Sequence, residues 1–114
     1  MNLTALFLTM CLNTGLPCED INVGFGVTPA DIMGTAQLYN TGRMDITIST
    51  LIEDSAYKTK ETLAHEVAHL MVYSNNLKKG QRLNWGHNYH FMSACKKVSR
   101  SVGMNPMHCK KGAH

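Results

Sequence analysis

A chain of 114 residues, 44% apolar and with a formal charge of +3, is sized for one small domain with one modest core. No apolar run approaches the roughly 18 residues of a membrane-spanning helix, and no low-complexity tract or internal repeat points to a fibrous or solenoid protein. The charge is uneven: residues 1–66 carry three basic and eight acidic side chains, whereas residues 67–114 carry eight basic and no acidic ones. Such asymmetry points to a polyanion-facing second half, against the plainer reading of a solvated basic face.

Residues 2–15 form a predicted helix, because Leu3, Leu6, Phe7, Met10 and Cys11 recur at helical spacing and Gly15 suits the position just past its end. The same stretch has no Lys or Arg before its apolar part, no small-x-small cleavage site follows, and Met10 spoils a lipoprotein box at Cys11. A core helix is therefore expected rather than a leader, and with it a cytoplasmic protein. The four cysteines (Cys11, Cys18, Cys95, Cys109) contain no Cys-x-x-Cys pair. That argues against a separate zinc ribbon and for free thiols in a reducing compartment.

Strands are predicted at Ile21–Phe25, Thr35–Tyr39 and Met44–Ser49, the last two joined through Asn40-Thr41-Gly42 as a hairpin. Leu51–Tyr57 reads as a short helical turn or loop. A central helix follows from about Lys58 to Ser74, with Asn75-Asn76 as its stop signal, then a basic loop over 78–86. The last helix spans about Asn88 to Val102, with Gly103 just past it and an irregular tail beyond. These elements make a single α+β domain over residues 1–114: an N-terminal helix, a three-stranded antiparallel-type sheet and two further helices. A monomer is expected.

The central helix carries His65-Glu66-Val67-Ala68-His69. On an α-helix, residues four apart sit about 40° apart around the axis and about 6 Å along it. Two imidazoles thus share one face, at a spacing that suits Zn2+, and Glu66 is close enough to act as general base on a zinc-bound water. The apolar flanks Leu63, Ala64, Val67, Leu70 and Met71 place the motif on a buried helix, where unsatisfied polar side chains are costly. A chance match on a surface helix is the weaker reading.

A catalytic zinc takes three protein ligands and leaves a position open. After Glu66 the chain has no Asp or Glu, so a downstream carboxylate is not available, and Asn75 occupies the place where the metzincin spacing needs a histidine. The downstream candidates are His87, His90, His108, His114, Cys95 and Cys109. His87 is the best of them, since Gly86 allows the chain to turn and 17 residues separate it from His69. His90 is the alternative, and His108 and His114 lie in the tail.

These residues together resemble the SprT-like metalloprotease family (the Spartan/SprT family), over nearly the whole chain. Met44–Ser49 is similar to its strand before the active-site helix, Thr62–His69 to its Leu-x-His-Glu-x-x-His core, and Gly86-His87 followed by Phe91 to its Gly-His-Gly-x-x-Phe or Trp element. Asn88 and His90 depart from that element, which has a glycine and an acidic residue there. The resemblance implies a compact zincin-like domain, His87 as third ligand, and a zinc endopeptidase acting on proteins bound or crosslinked to DNA. The match of the N-terminal helix leading to Leu16-Pro17 leads one to expect a complete domain without zinc ribbon or partner-binding tails, as in a phage-encoded or otherwise minimal member working in the host cytoplasm.

DNA contact would fall to Lys78, Lys79, Arg82, Lys96, Lys97 and Arg100, with Trp85 either stacking on an unpaired base or capping the core. Tyr73, Tyr89 and His90 are candidates to assist catalysis. The strand Met44–Ser49 is expected to offer an exposed edge to an extended substrate. Two other functions compete: a DNA-binding module with a structural or relic zinc site, and a zinc hydrolase of a non-protein substrate.

Overall fold

The computed structural model describes residues 2–78, 89–106 and 109. Helix α1 (Leu3–Cys11) starts where the Asn2 side chain accepts the Ala5 N–H at 3.0 Å, satisfying an end donor. Its buried face is Leu3, Phe7, Met10 and Cys11. It stops four residues short of Gly15: Leu12 leaves the helical region and Asn13 takes a φ of 68°. The chain then turns back so that Leu16 can enter the core and Cys18 can meet Cys11.

Strands β1 (Ile21–Gly26), β2 (Gly34–Leu38) and β3 (Met44–Ser49) form one sheet in the order β1-β3-β2. The hairpin between β2 and β3 is as expected, closed by Tyr39 N–H to the Arg43 carbonyl at 2.9 Å, with Gly42 at φ 89°. The sheet is nevertheless mixed, not antiparallel throughout: β1 runs parallel to β3. Residues 27–33 carry the chain from one edge of the sheet to the other, so β3 returns between its two predecessors. Strand β3 is therefore central and paired on both sides, which corrects the expectation that it offers an exposed edge. The edges are β1 and β2.

Strand β3 alternates as its sequence suggests, with Met44, Ile46 and Ile48 buried on the helix-facing side. Helix α2 (Ala56–Lys78) lies over that face. Ser55 caps it by accepting the Lys58 N–H at 3.2 Å, and the Thr59 hydroxyl donates to the Ile52 carbonyl at 3.0 Å, tying its first turn to the preceding 3-10 turn. The helix runs through Asn75-Asn76, because asparagine permits a stop without imposing one. Residues 63–70 are buried without a break.

Helix α3 (Tyr89–Ser101) packs on α2 through Phe91, Cys95 and Val98. Gly103, at φ 71°, ends it as expected: its N–H donates to the Arg100 carbonyl and that of Met104 to Ser99.

All four cysteines are paired, Cys11 with Cys18 and Cys95 with Cys109. This corrects the expectation of free thiols. Spacing along the chain conceals the pairs, because the turn after α1 and the return of Cys109 to α3 bring them together only in three dimensions. No helix among the described residues is long and apolar enough to cross a membrane.

Candidate metal and catalytic site

Helix α2 presents His65, Glu66 and His69 in the interior, at 4%, 6% and 8% exposure. The two imidazoles share a face, one turn apart, and Phe91 from α3 packs against both. Its ring centroid is 5.7 Å from that of His65, edge-on, and 4.4 Å from that of His69. The Tyr73 ring, one turn beyond, stacks on His69 at 5.7 Å with planes 14° apart. The His69 ring thus contacts two aromatic rings, and His65 contacts Phe91 edge-on.

Glu66 lies against the sheet. A Cβ placed on Gly34 of β2 would come within 3.3 Å of the Glu66 Cγ and 2.6 Å of the Thr62 Cγ2. Burial pushes the Glu66 carboxyl from about 4.5 up to about 7, because the charged form loses its water. Burial also raises the Tyr73 hydroxyl, and the Glu66 charge adds to it.

The sequence match covers most of this frame: the SprT-like family model matches residues 12–111, from the end of α1 through the last helix. The chain belongs to the SprT-like family. No curated protein matches it. Membership of the SprT-like family suggests a role of the metalloprotease type, and the family is thought to depend on zinc.

The donors of this SprT-like chain suit such an ion in kind. Two imidazoles sit at helical spacing on one face, with a carboxyl beside them that is not itself at the shared face. Among the described residues, no group of three His, Cys, Asp or Glu side chains forms a metal site. His87, the expected third ligand, lies outside the described residues, as do His108, His114, Trp85, Lys79 and Arg82. The Lys78 side chain is likewise outside them.

His90 does not join His65 and His69. It is exposed and lines a separate cavity of about 490 Å³, with Asn75, Ser93 and Lys97 among the walls. One residue of rotation about α3 separates the two positions: Phe91 takes the inward place, so His90 points elsewhere. Cys95 and Cys109 are joined to each other and are not thiolate ligands.

The place of Gly34 and the contact of Phe91 with both imidazoles were not visible from the sequence. A glycine before an alternating strand gives no sign of what it will touch. Tyr73 carried a weak signal, being four residues from His69 and seven from Glu66 on the same helix.

Proposed function

We propose that this SprT-like chain is a zinc-dependent endopeptidase, with His65, His69 and His87 as ligands and Glu66 as general base. The observation that carries the reading is Glu66 itself. It is a buried carboxyl beside two buried imidazoles, in a chain of this family, and burial pushes it up to about 7 in the metal-free protein. A carboxyl held this way beside two nitrogen donors is placed to exchange a proton with a water between them. A structural zinc site has no use for such a group, which disfavours a binding module with a relic site.

Zinc, when bound, lowers the pKa of water toward neutrality and polarises a carbonyl. Glu66 takes one proton from the attacking water as its oxygen bonds to the scissile carbonyl carbon. The protonated carboxyl then gives that proton to the amide nitrogen as the C–N bond breaks, so the amine leaves neutral and Glu66 is restored. The burial of Glu66 between α2 and the sheet keeps bulk water from the carboxyl. Strand β2 pairs only with β3 among the described residues, and its first residue lies against Glu66. An extended substrate would pair along that open edge.

Substrates depend on the compartment. The two disulfides favour an oxidising environment over the reducing cytoplasm, so proteins of such an environment are the first substrate class. The acid-free second half favours a second reading, cytoplasmic cleavage of proteins bound or crosslinked to DNA. In it, Lys97 and Arg100 on the exposed side of α3, half-buried Lys96, and Lys78, Lys79 and Arg82 meet the polyanion.

The test is zinc content together with casein cleavage, with and without single-stranded DNA, for the wild type and Glu66→Gln. We expect the variant to keep zinc and lose cleavage. Full cleavage by Glu66→Gln would overturn the mechanism. DNA binding that does not weaken as salt rises would count against the electrostatic contact.

A further inference from the structure

Gly34 opens the edge strand β2 and faces α2, opposite Ile48 of β3 in register. Its lack of a side chain is not required by its backbone, which stays out of the left-handed region. It is required by what lies in front of it. A Cβ there would meet Thr62 Cγ2 at 2.6 Å, Glu66 Cγ at 3.3 Å and Ile48 Cδ1 at 3.4 Å. The first distance is shorter than real Cβ atoms tolerate. The second is tight against the stem of the one carboxylate buried in the site.

We propose that Gly34 is a positioning residue for Glu66. Lacking a Cβ, it lets the open-edge strand press against the Glu66 stem and fix the direction in which the carboxyl points. The inference rests on the reading of Glu66 as the general base. The physical reason is packing. Glu66 has three side-chain torsions, and a helix alone does not choose among their rotamers. A backbone surface against Cγ removes the alternatives without a side chain that would itself displace the carboxyl. The same contact brings the open edge of β2 to the base, so strand position and carboxyl aim are set together.

Gly34→Ala alone meets Thr62 and risks a general loss of packing. Thr62→Ala removes that obstacle, so the informative comparison is Gly34→Ala/Thr62→Ala against Thr62→Ala. We expect the pair to have similar melting temperatures, zinc contents and KM on casein, while kcat falls about tenfold or more in the double variant. Misplacing a catalytic group by about 1 Å has effects of that size or larger. Recovery of kcat together with stability would show that Gly34 serves packing alone and overturn the inference.

A readout independent of turnover is the nuclear Overhauser contact between the Gly34 Hα and Glu66 Hγ protons in the wild type. Its presence supports the placement and its absence overturns it. Glu66→Gln, assayed alongside, separates the two levels of argument. An active Glu66→Gln overturns the general-base reading and this inference with it. An inactive Glu66→Gln beside a fully active Gly34→Ala/Thr62→Ala overturns this inference alone.

Discussion

The Phe91 ring sits 4.4 Å from the His69 ring, tilted by 32°, and reaches His65 edge-on as well. One side chain of α3 therefore braces both imidazoles of α2. Phe91→Ala should cost about 3–5 kcal/mol of stability, as deletion of a fully buried aromatic ring does. It should also weaken zinc binding by about tenfold or more, since supporting contacts orient metal ligands. Val98→Ala is the comparison: Val98 is buried on the same helix but in the other part of the core, so it should lower stability and leave zinc affinity unchanged. Denaturant melts and zinc titrations of both variants check this. Equal zinc affinity in the two would refute the bracing role.

The third ligand separates His87 from His90. His87→Ala should lose zinc, whereas His90→Ala should retain it, because His90 faces the cavity beside Asn75 and Lys97. Metal analysis of the two purified variants decides between them. Loss of zinc from His90→Ala alone would reverse the assignment.

Glu66 makes the metal-free protein pH-sensitive. Its carboxyl is raised from about 4.5 to about 7 by burial, so the folded state favours the protonated form. That contribution to stability is fully present below the unfolded value near 4.5 and is lost as pH rises through about 7. The shift corresponds to about 3 kcal/mol. Urea unfolding of chelator-treated protein should show stability falling over this window in the wild type and a flatter profile in Glu66→Gln. Parallel profiles would contradict the assignment.

The disulfides should be detectable and unequal. Non-reducing peptide mapping should find Cys11 joined to Cys18 and Cys95 to Cys109. By loop entropy, the first contributes about 2.5 kcal/mol and the second about 3 kcal/mol. Cys95 also belongs with Phe91, Ala68 and Val72 in the cluster behind the histidines. Reduction should therefore lower zinc affinity in Cys11→Ala/Cys18→Ala, which keeps the second bridge, and have little effect in Cys95→Ala/Cys109→Ala. Zinc titration with and without dithiothreitol reads the difference. Equal responses would remove the link between that bridge and the site.

Much of the molecule was legible because the signals are local. Helical periodicity located α1 and α3, the His-Glu-x-x-His segment with its apolar flanks located α2, alternation located β1 and β3, and Asn40-Thr41-Gly42 marked the hairpin. Boundaries were less secure where a neighbour intervenes: α1 ends early because the chain must bring Cys18 to Cys11, and α2 begins early because Ser55 caps it. The parallel pairing of β1 and β3 was not legible. Strand direction depends on how residues 27–33 cross the sheet, and an alternating pattern is the same in either direction.

The sequence by itself determined the chemistry on offer. Histidines at positions 65 and 69 and a glutamate at 66 must share one helical neighbourhood, because a helix repeats every 3.6 residues or so. The acid-free second half likewise limited which ligand types could follow. Only the tertiary structure decided what surrounds them. It set Phe91 across both imidazoles, turned His90 away, closed the cysteines into pairs, moved the open edge from β3 to β2, and laid Gly34 against Glu66. Each of these joins residues far apart in the chain through close packing, and contacts of that kind leave no period in a sequence.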